Sequence, residues 1–196
     1  RGVERWLIQR LALSLGATPG REDGICGNVD FPFPGRMLSG AARAALGGGD
    51  GTDPWAPERA VWPLLDVVDA AGDEPWLAPL AARITADPDR RFPIARAVAD
   101  RFDRYAVHRP WMLRDWAAGR DTGASGGPLP GDVAWQAELW RRLRAAIGEE
   151  SPAERLEEAC ARLRDDPTRC DLPERLSLFG LTRLAPVHLD VLDALG

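Results

Sequence analysis

Apolar positions along the chain recur mostly at helical spacing. In residues 1–16, Leu7, Ile8, Leu11 and Leu15 share one stripe with Gly16 available to end it, which predicts an amphipathic helix. A second helical stretch is predicted from Pro57 to about Leu80, after the flexible run ALGGGDGTDP at 45–54. The strongest periodicity runs from Ile94 to Val107, where Ile94, Val98, Phe102 and Tyr105 recur every three or four positions. Pro110 restricts Arg109 and must stop that helix at HRPW, leaving a turn that carries Trp111 and Trp116. Beyond the glycine-rich stretch 119–132, read as a disordered loop, helices are predicted at about 133–147 and 152–164, with Asp132 and Ser151 as caps.

Two short stretches read differently. Val29, Phe31 and Phe33 alternate with polar or proline residues, which suits a strand that its two prolines keep at a sheet edge. Leu176, Leu178 and Leu181 alternate around a glycine, and Val187, Val191 and Leu195 then resume helical spacing after Pro186. Strand and helix at both ends of a helical middle predict a mainly α fold. Its ends, 1–38 and 172–196, would form part of an α/β domain, and 39–171 an all-helical insertion.

Composition narrows the chemistry. The 196 residues are 45% hydrophobic and 28% charged, a globular balance, with no apolar run near the length of a membrane span and no export signal, so a cytoplasmic location and no membrane partner are expected. The chain begins at Arg1 rather than Met and reads as part of something longer. All 25 basic residues are arginine, as in GC-rich coding. Without lysine, a phosphate-loop nucleotidase, a kinase and a Schiff-base enzyme are all excluded. Cys26, Cys160 and Cys170 lack the spacing of a zinc hook, His108 and His188 are distant in sequence, and no nucleophile–base set stands out, so neither metal, cofactor nor catalytic residues are expected. Net charge is −5, yet Arg83 to Arg120 contains nine arginines and five aspartates, a local excess of four positive charges that leaves −9 for the remainder. A basic patch of this kind suits phosphate.

The phrases GVERWLIQRLALSLG, GNVDFPFP, ADRFDRYAVHRPWMLRDW, WQAELWRRL and LPERLSLFGLTRLAPVHLDVLDALG together resemble the amino-terminal part of the exodeoxyribonuclease V gamma-subunit family. That resemblance implies a P-loop-helicase-like α/β domain that has lost its ATP-binding residues and is interrupted by a helical insertion. It further implies a non-catalytic subunit of an ATP-dependent exodeoxyribonuclease and helicase acting in recombinational DNA repair. The subunit would hold a beta helicase–nuclease against an alpha helicase, guide single strands from DNA ends, and in some members scan for a Chi signal.

Carried over by position in the matching phrases, the strand-contacting residues would be Arg1, Arg5, Phe33, Asp100, Asp103 and Arg109, with Arg104 beside them. Arginine can hold phosphate or a guanine edge, aspartate can accept from base amino groups, and phenylalanine can stack. The same Arg96, Asp100 and Arg104 also describe a solvated ladder at four-residue intervals. Members that read Chi carry a neutral amide at the position of Arg5, leucine at Arg101 and tryptophan at Ser39, which implies altered reading of the strand or none. Two functions stay open: a DNA-guiding domain, and a scaffold that grips the beta subunit with little DNA contact. Five tryptophans, Trp6, Trp62, Trp76, Trp135 and Trp140, are expected mainly in the core.

Overall fold

The computed structural model describes residues 2–48, 53–173, 176–181 and 183–196. Among them the regular elements are the helices α1 (Gly2–Ala12), α2 (Pro34–Ala45), α3 (Pro57–Ala70), α4 (Ala78–Ala86), α5 (Arg91–His108), α6 (Pro110–Ala117), α7 (Trp135–Ile147), α8 (Pro152–Asp165) and α9 (Pro186–Leu195), with single 3-10 turns between some of them. The predicted stretch from Pro57 to Leu80 is broken by Gly72 and Pro75 into α3, a 3-10 turn and α4, and the tryptophan-bearing turn after HRPW is the helix α6. Ser151 caps α8 through a reciprocal box with Glu154, whereas Asp132 lies in a 3-10 turn and α7 starts without a side-chain cap.

Neither predicted strand forms, and no sheet exists among the described residues, so the α/β helicase-like assignment is corrected to an all-helical fold. The reason is backbone pairing. A strand needs a neighbour for its N–H and C=O groups. Around 29–33 Pro32 and Pro34 offer no N–H, Asn28 takes a left-handed φ of 55°, and Phe33 becomes the residue leading into α2. In the second stretch Gly180 turns the chain at φ 70°, and Glu174, Arg175 and Thr182 lie outside the described residues.

Two apolar clusters organise the rest. The larger joins α3, α5, α6 and α7, where Leu64, Phe102, Leu113, Trp116, Trp140 and Leu143 are almost wholly buried. Trp116 sits at its centre, meeting Phe102, Tyr105 and Trp140 edge to face at 5.9–6.4 Å. Glu74 fastens the turn before α4 to α7 by accepting both Arg142 guanidinium nitrogens at 2.6 and 2.8 Å and the Trp76 indole N–H at 2.7 Å. The smaller cluster joins α2, α8 and α9 around Leu38, Leu163 and Val191 and includes the free thiols of Cys160 and Cys170. The Arg114–Glu157 ion pair links α6 to α8. Of the tryptophans expected inside, Trp140 is buried and Trp76 and Trp135 pack on the larger cluster, but Trp6 and Trp62 are exposed.

His188 of α9 lies against Gly35 at the start of α2, where even a methyl group would stand 2.9 Å from the imidazole. Burial, reinforced by the positive charge of His108, holds its pKa below the ordinary imidazole value. The histidines distant in sequence therefore feel one another. Because folding favours the neutral ring, this contribution to stability is present above the ordinary histidine pKa and is lost as pH falls through it. Urea unfolding across about pH 7.5 to 5.5 is expected to show a shallower loss of stability for His188→Gln than for the wild type. Equal slopes would assign the pH dependence to other groups.

Helix α1 has no buried residue. It meets the 176–181 stretch through the stacked rings of Trp6 and Phe179, with centroids 6.0 Å apart. Of the fifteen large hydrophobic side chains exposed among the described residues, twelve lie in residues 3–33 or 176–189. The apolar alternation that predicted strands is thus present at both ends, but solvent covers it on this chain.

Candidate nucleic-acid interface

Helix α5 is long because its first turn tolerates Pro93, whose missing N–H has no helical acceptor there, and it ends because Pro110 forbids helical geometry at Arg109. Arg109 still donates its backbone N–H to Tyr105 O at 2.8 Å before swinging to φ −144°, ψ 52°. This cap aims its guanidinium over the Tyr105 ring, 5.8 Å from the centroid.

The residues of α5 divide among three faces. Arg96, Asp100 and Arg104 form a ladder: Arg96 pairs with Asp100 at 3.0 Å, and Arg104 donates to the Asp100 carbonyl at 3.3 Å. These two sequence-predicted site residues are engaged with their own helix. Ala99, Phe102, Asp103 and Ala106 border a small, partly open cavity with Trp140, Asp103 keeping an exposed edge. Desolvation raises the Asp103 carboxyl above its ordinary range, the negative charges of Asp100, Asp53 and Glu58 adding to the effect and Arg104 opposing it. Arg101, Tyr105 and Arg109 form the third face, at successive four-residue steps.

That third face floors a cleft of about 370 Å³ closed by α6, Gln136 of α7 and residues 123–130. The glycine-rich stretch expected to be disordered is a built turn. Gly123 N–H donates to Gly127 O and Leu129 N–H to Asp121 O, both at 2.7 Å. The Trp116 indole N–H donates to Thr122 O at 2.9 Å, and Arg141 holds the Asp121 carboxylate at 2.8 Å. Asp115, hydrogen-bonded to Thr122 and Arg120, has its carboxyl held below the usual range. The roof is therefore fastened to both α6 and α7.

Electrostatically the cleft is one-sided. Among the described residues its lining contains Arg101 and Arg109 and no carboxylate, and neither arginine forms an ion pair. Tyr105 donates its hydroxyl to Gln136 Oε1 at 3.0 Å, fixing the ring edge while a face meets Arg109. Two unpaired cations, an aromatic ring and an anchored amide can hold a phosphate and a planar base together.

Of the sequence-predicted contacts only Arg109 lines this cleft. Arg5 is exposed on α1, and Phe33 is 82% exposed ahead of α2, so both stand on the apolar terminal stretch instead. Arg1 lies outside the described residues. Tyr105 and Gln136 also line the cleft and are not among the sequence-predicted residues. Periodicity reads Tyr105 as one of the apolar positions of its helix, although it lies midway between Arg101 and Arg109 on one helical face. Gln136 carried a weaker signal, a polar residue inside an otherwise apolar helical stripe.

The family model described as "RecC, N-terminal domain" matches residues 1–196. Over its full length the chain is 46% identical to the RecBCD enzyme subunit RecC of Mycobacterium tuberculosis, across 18% of that protein. It is 39% identical to the same subunit of Mycolicibacterium smegmatis and 28% identical to that of Escherichia coli, across 17% of each. The chain thus spans under one fifth of the length of these curated relatives.

Proposed function

The chain belongs to the RecC family, and on that premise we propose that its α5–α6 cleft guides a single DNA strand within an exodeoxyribonuclease V, or RecBCD-type, assembly that repairs DNA ends by recombination. The observation that carries this reading is the pair of arginines, without an ion pair among the described residues, flanking the Tyr105 ring in a cleft with no carboxylate in its described lining. Phosphates would be held by Arg101 and Arg109, and a base would stack at the tyrosine. In this role the domain supplies no catalytic group. Arg5 and Phe33 stand on the terminal stretch, outside this cleft. Arg101 sets a charged head where Chi-reading members resemble one another in carrying leucine, which favours grip on the backbone over reading of bases.

A second role draws on a different observation. The exposed apolar side chains of 3–33 and 176–189 favour a protein cover over a nucleic-acid one. We therefore place contact with the beta and alpha helicase subunits, or with the rest of a RecC-length chain, on the exposed faces of 1–38 and 172–196; these ends are a surface and not a unit apart from 39–171, because α2 and α9 share a buried cluster with α8. Strand binding and assembly then occupy separate surfaces.

Fluorescence anisotropy with labelled single-stranded oligonucleotides separates them. The Arg101→Ala, Arg109→Ala double variant is expected to lose about tenfold or more in affinity and to flatten the log–log salt slope by about 1.4, the value for two phosphates on a single strand. Its association with the beta subunit should be unchanged. An unaltered slope, or lost association at full DNA affinity, would favour the scaffold reading.

A further inference from the structure

The larger cluster contains one buried polar group with no protein partner. Trp140 is fully buried, stacked on Trp55 with centroids 5.7 Å apart, and its indole N–H finds no acceptor among the described residues. A buried donor left unsatisfied costs on the order of 1–3 kcal/mol, enough to be noticed where every other buried side-chain nitrogen and oxygen among the described residues is paired. The same ring borders a cavity of about 30 Å³ between α3, α5, α7 and the start of α8, together with Asp103, Ser151 and Asp53.

The lining chemistry restricts what can sit there. An indole N–H requires an acceptor, which excludes a cation. The carboxylates of Asp103 and Asp53 disfavour an anion. Asp53 already accepts the Trp55 backbone N–H at 3.0 Å and Arg43 at 3.2 Å, whereas Asp103 has no ion pair among the described residues. Ser151, itself 1% exposed, receives the Glu154 N–H on its oxygen at 3.4 Å, and its hydroxyl hydrogen remains available to donate. Two donor-bearing residues, Trp140 and Ser151, and two carboxylate-bearing ones, Asp53 and Asp103, line a space large enough for a single water, which needs roughly 10–15 Å³ of room and two to four polar partners.

We propose that this cavity is a hydration site holding one ordered water, which accepts from the Trp140 indole and the Ser151 hydroxyl and donates to the Asp103 carboxylate. The water joins α5 to α7 and to the cap of α8. Asp103 is then a positioning residue that sets the rotation of α5, and through it the outward aim of Arg101 and Arg109 on the opposite side. It is not a strand contact. The inference is independent of whether the cleft binds DNA, since it stands on the buried indole and the cavity alone.

The test uses the whole chain with nitrogen-labelled tryptophan, the Trp140 indole being assigned through its contacts to the Trp55 and Trp116 rings. The expected result is a cross-relaxation peak between the indole proton and water, with the sign of a long-lived bound molecule. Asp103→Asn, which keeps an acceptor oxygen, should retain it, and Asp103→Leu should lose it. Absence of the peak in the wild type, or its persistence unchanged in Asp103→Leu, overturns the site. Should the leucine variant fail to fold, Ser151→Ala serves in its place: a weakened peak supports the site, and an unchanged one counts against it. Single-strand affinity of Asp103→Asn is expected to equal that of the wild type, and a loss of fivefold or more would return Asp103 to the strand contacts.

Discussion

Replacing Trp116 by alanine is expected to destabilise the chain by about 3–5 kcal/mol, the range for removing a large aromatic ring from a close-packed interior. The residue contributes in two ways that do not substitute for each other. Its ring is completely buried and meets three aromatic neighbours, so truncation opens a cavity that α3, α5 and α7 cannot all collapse into. Its indole N–H also holds the Thr122 carbonyl and with it the roof of the cleft. Urea unfolding monitored by circular dichroism measures the first effect as a lowered midpoint at constant slope. The second is read from a phenylalanine variant, which keeps most of the volume and loses the donor. Trp116→Phe should cost less stability yet raise hydrogen exchange at Gly123 and Leu129, whose amides close the turn. A loss below about 1 kcal/mol for the alanine variant would contradict the central packing role.

How much of this was legible in the sequence depends on whether a pattern had one physical solution. The 94–107 periodicity did: with Pro110 behind it, only a helix ending at Arg109 satisfies both, and α5 ends at His108. Ser151 with Glu154 three residues on likewise specified a cap. Alternation at 29–33 and 176–181 did not have one solution, because a strand exists only with a partner, and nothing in a short apolar alternation says whether the partner is present. The glycine-rich 119–132 misled in the opposite direction. Its composition is that of a flexible loop, but its order comes from outside the segment, from Trp116 and Arg141 reaching back to it.

The site was legible to a similar degree. Resemblance carried the family, and periodicity carried the helix that runs through FDRY up to HRPW. Which charges stay available for a ligand was not readable, since it depends on partners brought by the fold. Asp100 and Arg104 are engaged along their own helix, Asp103 borders the small cavity beside Trp140, and Arg109 is left over a tyrosine. Arg101, singled out in the sequence as a departure and not as a contact, becomes the second cation of the cleft because four residues return a helix to nearly the same face.

Val191→Asp tests whether the two apolar clusters are separable, and its expected cost exceeds about 3 kcal/mol because an unpaired charge would enter a space without water. Val191 is completely buried in α9, between Leu38 of α2 and the face of α8 that carries Cys160 and Leu163. The arginines at its edge are already engaged, Arg162 with Glu158 and the Ala45 carbonyl and Arg164 with Asp193. Helix α9 is therefore expected to leave α8, because exposing Val191, Ala194 and their neighbours costs less than ionising a group inside. The tryptophans report on the other cluster: all except Trp6 belong to residues 55–140, and α3, α5, α6 and α7 share Trp116 and Trp140 among themselves. The variant should then show early proteolytic cleavage after Arg169 or Arg183 and a lower urea midpoint for the helical signal, while the emission maximum of its tryptophans stays near that of the wild type. Single-strand affinity should also be preserved, since the α5–α6 cleft draws no lining residue from α2, α8 or α9. Concerted loss of tryptophan environment and helix at one midpoint would show instead that both clusters fold as one unit, with the Arg114–Glu157 pair and the packing of α6 on α8 strong enough to transmit the damage.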